Sequence, residues 1–560
     1  MQAFVYKGKT LLSGIDPAGR AEKTADAVSV SDKTLYFCPS PVYGYGLERF
    51  LSRLDAEAPG SAVLCVEADS GLYDLSINSI SGNVSRNARL RITNICDSAN
   101  LCGLVRKAWG ERRFRRVEIL RLTGGWQLFP DVYDSLCDAL RNEIAVGWSN
   151  AMTLTKFGRL YIRNMLRNLS LIGKYHSVDA LSFGEAPVLV LGAGPSLDET
   201  LDALKKYFPE KSACPQDRLF RIICVDTCLG ALKDRNIVPD LAVILESQHW
   251  NLRDFIGVRG WKIYAAFDLC ALPSSARLLD GQFFLFSTPW TQLNIFKRLK
   301  DANLLPAVFP PLGSVGLTAV ELARRLTSGK IICAGLDFSF TLDKYHARST
   351  PGHRGKLNAL TRFKSFINSA VFSRGSSAAV SKSKLNVTSS PIMNNYRSLF
   401  EQEFSRDSRI FDIEGSGLPL GVTTLTMDDA VMKLGGGECE AASDNCAAAG
   451  DDCLITNDKT GAANNERESI RFDKDILKTK LEFFLNNEIL RLEELRNILT
   501  GEIAADEQRL SLLIDECDYL WAHFPDYAGG SSKPDLKKPS AVSFLKRVRA
   551  EIDSMIKAIN

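Results

Sequence analysis

The residues best suited to chemistry stand where apolar runs end. Val188-Leu189-Val190-Leu191 leads into Gly192-Ala193-Gly194-Pro195-Ser196-Leu197-Asp198. That order reads as a buried strand, a Gly-x-Gly turn and a helix start, with Pro195 suited to the first helical position. Glycine lets a backbone approach a ligand closely, free N–H groups at a helix start favour phosphate, and Ser196 adds a hydroxyl donor. Leu197 occupies the place of the third glycine of the dinucleotide fingerprint, which argues against an ordinary NAD site. The same residues also suffice for a tight strand–helix turn without a ligand.

Other apolar runs end in polar groups as well. Arg221–Val225 stops at Asp226-Thr227, Leu241–Leu245 at Glu246-Ser247, and Ile331–Ala334 at Gly335-Leu336-Asp337. Open parallel sheets bind ligands at the carboxyl ends of their strands, so these ends should converge on one edge. Gly313-Ser314-Val315-Gly316 offers a second anion nest before a helix, with Ser314 as its hydroxyl. His346 and His353 follow Asp337 within one loop. That place suits a general base or a phosphate partner, and also simple packing.

The elements that must position these groups are legible in the patterning. Runs such as Ile263–Phe267 and Phe283–Phe286 are continuous rather than alternating, as in strands covered on both faces. Helical patterns at 196–207, 227–235 and 315–328 alternate with them. The fold class is therefore α/β, with a doubly wound central domain expected at 185–430. An N-terminal α/β domain is expected over 1–134, where Gly44 and Gly46 follow one strand and Glu67 ends the next. It carries a basic cluster at Arg112–Arg116, read as a solvated helix face. A helical connector is expected over 135–184 and a disordered linker over 431–469, the latter rich in Gly, Ala, Asp and Asn. A helical C-terminal domain over 470–560 follows. Its apolar stripe, including Ile476, Leu481, Phe484 and Leu492, suits docking or self-association.

Composition removes several classes. The 560 residues hold 69 Lys+Arg against 66 Asp+Glu, too even a balance for a dedicated nucleic-acid binder. No apolar run is long enough to span a bilayer, and the N-terminus lacks a signal-peptide core, so a soluble cytoplasmic protein is expected. The 14 cysteines are expected to be reduced. Cys439, Cys446 and Cys453 lack the CxxC or histidine company of a zinc site.

The segment Gly192–Asp198 resembles the signature of the MptE-like superfamily, which includes the motility-associated factor (Maf) glycosyltransferases. Ile237-Val238-Pro239-Asp240, Gly313–Gly316, Gly335–Phe340 with Lys344-Tyr345-His346-Ala347, and Ile413–Gly417 are similar to later blocks of that family. The resemblance implies a Rossmann-like, sialyltransferase-like transferase. Its donor would be a CMP-activated nonulosonic acid of pseudaminic or legionaminic type. Its acceptor would be Ser/Thr of flagellin, alone or with a chaperone. By motif position, Gly192, Gly194, Pro195, Ser196, Thr227, Ser247, Ser314 and Gly335 would help hold the nucleotide, and Asp226 and Glu246 would line its pocket. Asp337 and His346 would flank the reacting centre. Magnesium is compatible with the sequence but not required by it. The superfamily's other branch would instead move diphosphate from ATP, with Mg²⁺, to a hydroxymethyl-dihydropterin. A degenerate transferase fold that only docks flagellin is the non-enzymatic alternative.

Overall fold

The computed structural model describes residues 3–560 except 111–112, 209–214, 216–217, 342, 366–375, 437–465, 505, 528–532 and 538. The Cys439–Cys453 repeat, Arg112 and most of the expected linker fall outside the described residues. The chain divides into two compact units, Met1–Arg159 with Tyr519–Phe544, and Leu160–Asp518 with Leu545–Asn560.

In the first unit four parallel strands stand in the order Leu90–Thr93, Ala62–Val66, Thr34–Pro39, Arg116–Ile119. Side chains alternate between the two faces of a strand, and here both faces are covered. Tyr36, Cys38, Val63 and Cys65 pack with Phe50, Leu51 and Leu54 of the helix Leu47–Glu57. Leu35, Phe37, Leu64 and Val66 pack with Leu101 and Val105 and with Leu136, Leu140 and Ile144. A strand buried on both sides has no polar positions to spare, which is why the sequence shows unbroken apolar runs. The basic cluster does not form a helix face. Arg113 donates to the carbonyls of Gly60 and Pro59, and Arg116 opens the last strand. The connector is one helix from Pro130 to Asn168.

The second unit is built on a ten-stranded parallel sheet. Its main path runs Ala307–Val308, Phe283–Ser287, Ala265–Asp268, Leu241–Ile244, Arg221–Val225, Val188–Leu191, Ile331–Ala334, Ile410–Ile413, Thr423–Leu425. The order reverses at Val188–Leu191: the next strand in sequence, Arg221–Val225, lies on one side of it and Ile331–Ala334 on the other. The doubly wound fold expected from the patterning is thus present, with its switch point at the Gly192 turn. The helix Val315–Leu326, buried from Gly316 to Ala323, packs on the four central strands.

Two asparagines one turn apart fasten the long helix to this sheet. Asn164 Nδ2 donates to the carbonyls of Ser247 (3.0 Å) and Cys270 (3.2 Å), and Asn168 Nδ2 to those of Leu269 (2.9 Å) and Ala271 (2.8 Å). Near the C-terminus the helix Glu466–Thr500 ends at Gly501, whose φ of 82° suits the left-handed stop of a helix. Its buried Glu488 accepts from Arg298 Nε and Nη2, both at 2.9 Å, and from Arg491. All ten described cysteines are free thiols, and only Cys96 is exposed. Among the described residues no helix is long and apolar enough to cross a membrane.

Candidate active site at the sheet's carboxyl edge

At the switch point, the glycines serve contact between backbones. Gly194 N donates to Gly335 O and Gly192 N to Ala334 O, each at 2.8 Å. A Cβ on Gly192 would lie 2.5 Å from Gly335 O, and one on Gly335 would collide with Gly192 O. Gly335 also has a φ of 68°, which L side chains rarely adopt. The two strand exits therefore interlock, and neither tolerates a side chain.

The helix that follows begins at Leu197, two residues later than the position expected for Pro195 at its first turn. Its positive end already holds a carboxylate. Asp337 Oδ2 accepts from Ser196 N at 2.7 Å, and Oδ1 accepts from Ser196 Oγ at 2.5 Å. A phosphate at this turn would have to share Ser196 with Asp337. Both residues are buried. Asp198 is taken up as well, accepting from Lys344, Arg235 and the Arg348 amide, each at 3.1 Å. That clasp ties the loop after Asp337 down over the turn, and Ala347 N completes it by donating to Ala193 O.

His346 therefore lies beside the Gly-x-Gly turn, as its place in the loop suggested. Its ring is largely buried, and burial pushes its pKa down to about 4. Nδ1 has no hydrogen-bond partner among the described residues. A ring held neutral can accept a proton, but with less driving force than an ordinary imidazole. Next to it, Tyr345 stacks on Phe340 at 4.5 Å, and Lys356, whose pKa falls to about 8 through burial, lies over Tyr345.

Further along the edge, three neighbouring strands end in carboxylates at Asp226, Glu246 and Asp268. Asp226 is buried. It accepts from Asn251 Nδ2 (2.6 Å) and Thr227 N (2.8 Å), and its pKa is raised to about 6, chiefly by burial. Asp268 is likewise internal, bonded to the amides of Cys270 and Thr288, and raised by burial to about 7. Asp254, on the turn after Glu246, reaches about 7 because it is desolvated and shares its surroundings with Asp226. Glu246 differs. It is exposed to solvent, with one oxygen accepting from Gln248 N at 2.9 Å, while neighbouring Ser247 is buried.

Around Glu246 stand aromatic groups that no motif announced. Its charge helps raise the pKa of Tyr396, and that of Tyr161 to about 12, after burial as the main cause. Trp290 lies 5.9 Å from Tyr161. Tyr396 also touches the Gly313 turn, where a Cβ would sit 3.2 Å from its ring. Ser314 is the N-cap of the helix Val315–Leu326, with no side chain capping it. The structure thus gathers Glu246, Tyr161, Tyr396 and Ser314 at one part of the edge. It gathers Ser196, Gly335, Asp337 and His346 at the switch point. Asp268 could have been found in sequence by the rule that singled out Asp226, since it directly follows Ile263–Phe267. Tyr161 and Tyr396 could not, because they come from distant helices. Among the described residues no three His, Cys, Asp or Glu side chains gather into a metal site.

Residues 163–343 match the family model described as 6-hydroxymethylpterin diphosphokinase MptE-like. The match contains every strand-end residue discussed above up to Asp337 and stops just short of His346. A protein of Treponema pallidum (strain Nichols), described as an uncharacterized protein, is 28% identical over 565 residues, 99% of this chain and 93% of its own length. The solved structure of MAf glycosyltransferase from Magnetospirillum magneticum AMB-1 is similar over 99% of this chain and 88% of that one. Its TM-score is 0.55 at 13% identity, a likeness of fold. The chain carries an MptE-like segment within the fold of a Maf glycosyltransferase, the two resemblances named from its motifs.

Proposed function

We propose that the protein is a glycosyltransferase of Maf type that acts in the cytoplasm. It moves a nonulosonic acid from its CMP-activated donor to Ser/Thr hydroxyls of flagellin. The observation that carries this reading is the reach of the fold likeness. It takes in 99% of the chain, first unit and C-terminal helices included, whereas a diphosphokinase would need only the central segment.

In the reaction, the acceptor hydroxyl loses its proton to a base, its oxygen bonds to the anomeric carbon, and CMP leaves with the electrons of the broken C–O bond. A positioned base contributes about 10²–10⁴-fold. Glu246 faces solvent near Tyr161 and Tyr396 and is assigned to the acceptor side. His346, neutral and beside the switch-point turn, is assigned to the donor side with the Gly192–Ser196 turn. His346→Ala should lower turnover by about a hundredfold or more with CMP affinity nearly intact.

The test is incubation of the purified protein with a CMP-nonulosonic acid and flagellin, read by mass spectrometry of modified Ser and Thr. Calorimetry with CMP, or with ATP and Mg²⁺, separates this reading from the second one. Diphosphate transfer to a hydroxymethylpterin is favoured by the description of the matching family model. Binding of neither nucleotide, with flagellin still bound, would leave a docking protein.

A further inference from the structure

Residues 344–400 contain ten Lys and Arg and no Asp or Glu, in a chain whose charges nearly balance overall. Four of these cations reach acids outside the stretch: Lys344 pairs with Asp198, Arg354 with Asp234, Lys382 with Asp412 and Arg397 with Glu401. Arg348, Arg362, Lys364 and Lys384 are exposed, where water hydrates the charge. Lys356 fits neither group. It is half-buried on the helix Pro351–Asn358, forms no ion pair among the described residues, and burial alone lowers its pKa to about 8. Its ammonium lies over the Tyr345 ring. Gly352, four residues earlier, shares that face of the helix, and a Cβ there would lie 3.3 Å from the unpartnered His346 Nδ1. Lys356 and His353 push the His346 ring further from protonation, and no carboxylate among the described residues opposes them. A desolvated ammonium and a desolvated imidazole thus stand near each other without a counter-charge. Both are next to the Gly192–Gly194 turn, where Ala347 N donates to Ala193 O at 3.0 Å. Burying a cation without an anion is unfavourable, and a ligand that brings one relieves it.

We infer that Lys356 and His346 flank a subsite for one oxyanion of the substrate and, resting on the transferase reading above, that this oxyanion is the carboxylate of the nonulosonic acid. Such a donor brings two anions, a phosphate and a carboxylate. The phosphate goes with the nucleotide, which that reading assigns to the Gly192–Ser196 turn. The carboxylate is carried on the anomeric carbon itself, one bond from the reacting centre that His346 adjoins. An ammonium offers three donors and a neutral imidazole one N–H, so the two carboxylate oxygens can each find a partner. The bond to Lys356 is charge-assisted and gains strength from the partly desolvated setting. Lys356 is then a specificity residue: it rewards a sugar that carries a carboxylate and is indifferent to CMP alone.

Two measurements on the full chain test this. In the first, amine acetylation of the wild-type protein is followed at Lys356 by peptide mass spectrometry. N-acetylneuraminate, a free nonulosonic acid, should slow labelling at least about threefold, because pairing raises the lysine pKa and shields the amine. Its methyl ester should not. In the second, calorimetry compares Lys356→Met with wild type. Affinity for a CMP-nonulosonic acid should fall at least about tenfold, the value of one charge-assisted hydrogen bond, with CMP affinity within about twofold of wild type. The variant should melt no lower than wild type, because it removes an unpaired cation. Equal losses for CMP and the donor would assign the oxyanion to phosphate and overturn the carboxylate. Unchanged affinity for both, with no protection of Lys356, overturns the subsite. If N-acetylneuraminate protects Lys356 but flagellin is never modified, the transferase reading fails and the subsite stands. If Lys356→Met modifies flagellin with the wild-type KM for the donor, the subsite fails and the reading stands.

Discussion

Glu67 and Glu246 arise from the same sequence signature, an apolar strand that ends in a glutamate, yet the two units use them in opposite ways. Glu67 is fully buried. It accepts from Ser40 Oγ at 2.6 Å, from Tyr133 Oη at 3.2 Å and from the Asp69 amide at 3.3 Å, and burial raises its pKa. The nearby glycine turn is filled by the chain itself: a Cβ on Gly46 would lie 2.8 Å from Ala21 O, and Gly44 abuts Ile80. Glu246 has one backbone partner and faces solvent. A strand-end acid is a knot when its donors come from its own fold and an available group when they do not.

Truncation at the two positions tests that contrast most strongly. Glu67→Ala should cost about 2–4 kcal/mol, because it strands three buried donors, two hydroxyls and an amide. The measurement is chemical denaturation of the intact chain, and a loss under 1 kcal/mol would show that Glu67 is no knot. Ser196→Ala is expected next, at about 1.5–3 kcal/mol, the value of one hydrogen bond to a charged carboxylate. If that variant keeps full stability but loses CMP binding, the turn is a nucleotide cradle rather than an internal clasp.

A pH effect sharpens the comparison further. Asp254 has a folded pKa of about 7 against 3.8 for the free group. A folded pKa above the unfolded one means stability that is present at low pH and lost as pH rises through 7. Asp254→Asn should therefore be more stable than wild type by ~1–2 kcal/mol at pH 8. That gap should close toward pH 4, as read from thermal melts at several pH values. The smallest effect belongs to Glu246→Gln, whose stability should stay within about 0.5 kcal/mol of wild type. Its transfer activity should nevertheless fall about a hundredfold. A stability loss at Glu246 matching that at Glu67 would erase the distinction.

Much of the fold was legible because burial leaves a continuous apolar signal. All six runs read as strands in the 185–340 region are strands, and the helices read at 196–207 and 315–328 form as Leu197–Tyr207 and Val315–Leu326. The strands Ile410–Ile413 and Thr423–Leu425 were not legible, being short, with Asp412 and three threonine or leucine residues that carry no distinct pattern. Site legibility stopped at partners. Gly192 and Gly335 announce that something comes close but not whether it is a ligand or another backbone. Ser196 and Asp337 are 141 residues apart in sequence, so their bond became visible only in the structure.

The grip of Asn164 and Asn168 on four loop carbonyls has a consequence for how this fold can diversify. Both amides hold main-chain oxygens at Ser247, Leu269, Cys270 and Ala271, groups present whatever side chain stands there. Those loops can exchange their side chains, and with them the chemistry they present at the carboxyl edge, without loosening the strut that fixes their height above the sheet. Innovation and rigidity are thereby assigned to different atoms of the same residues.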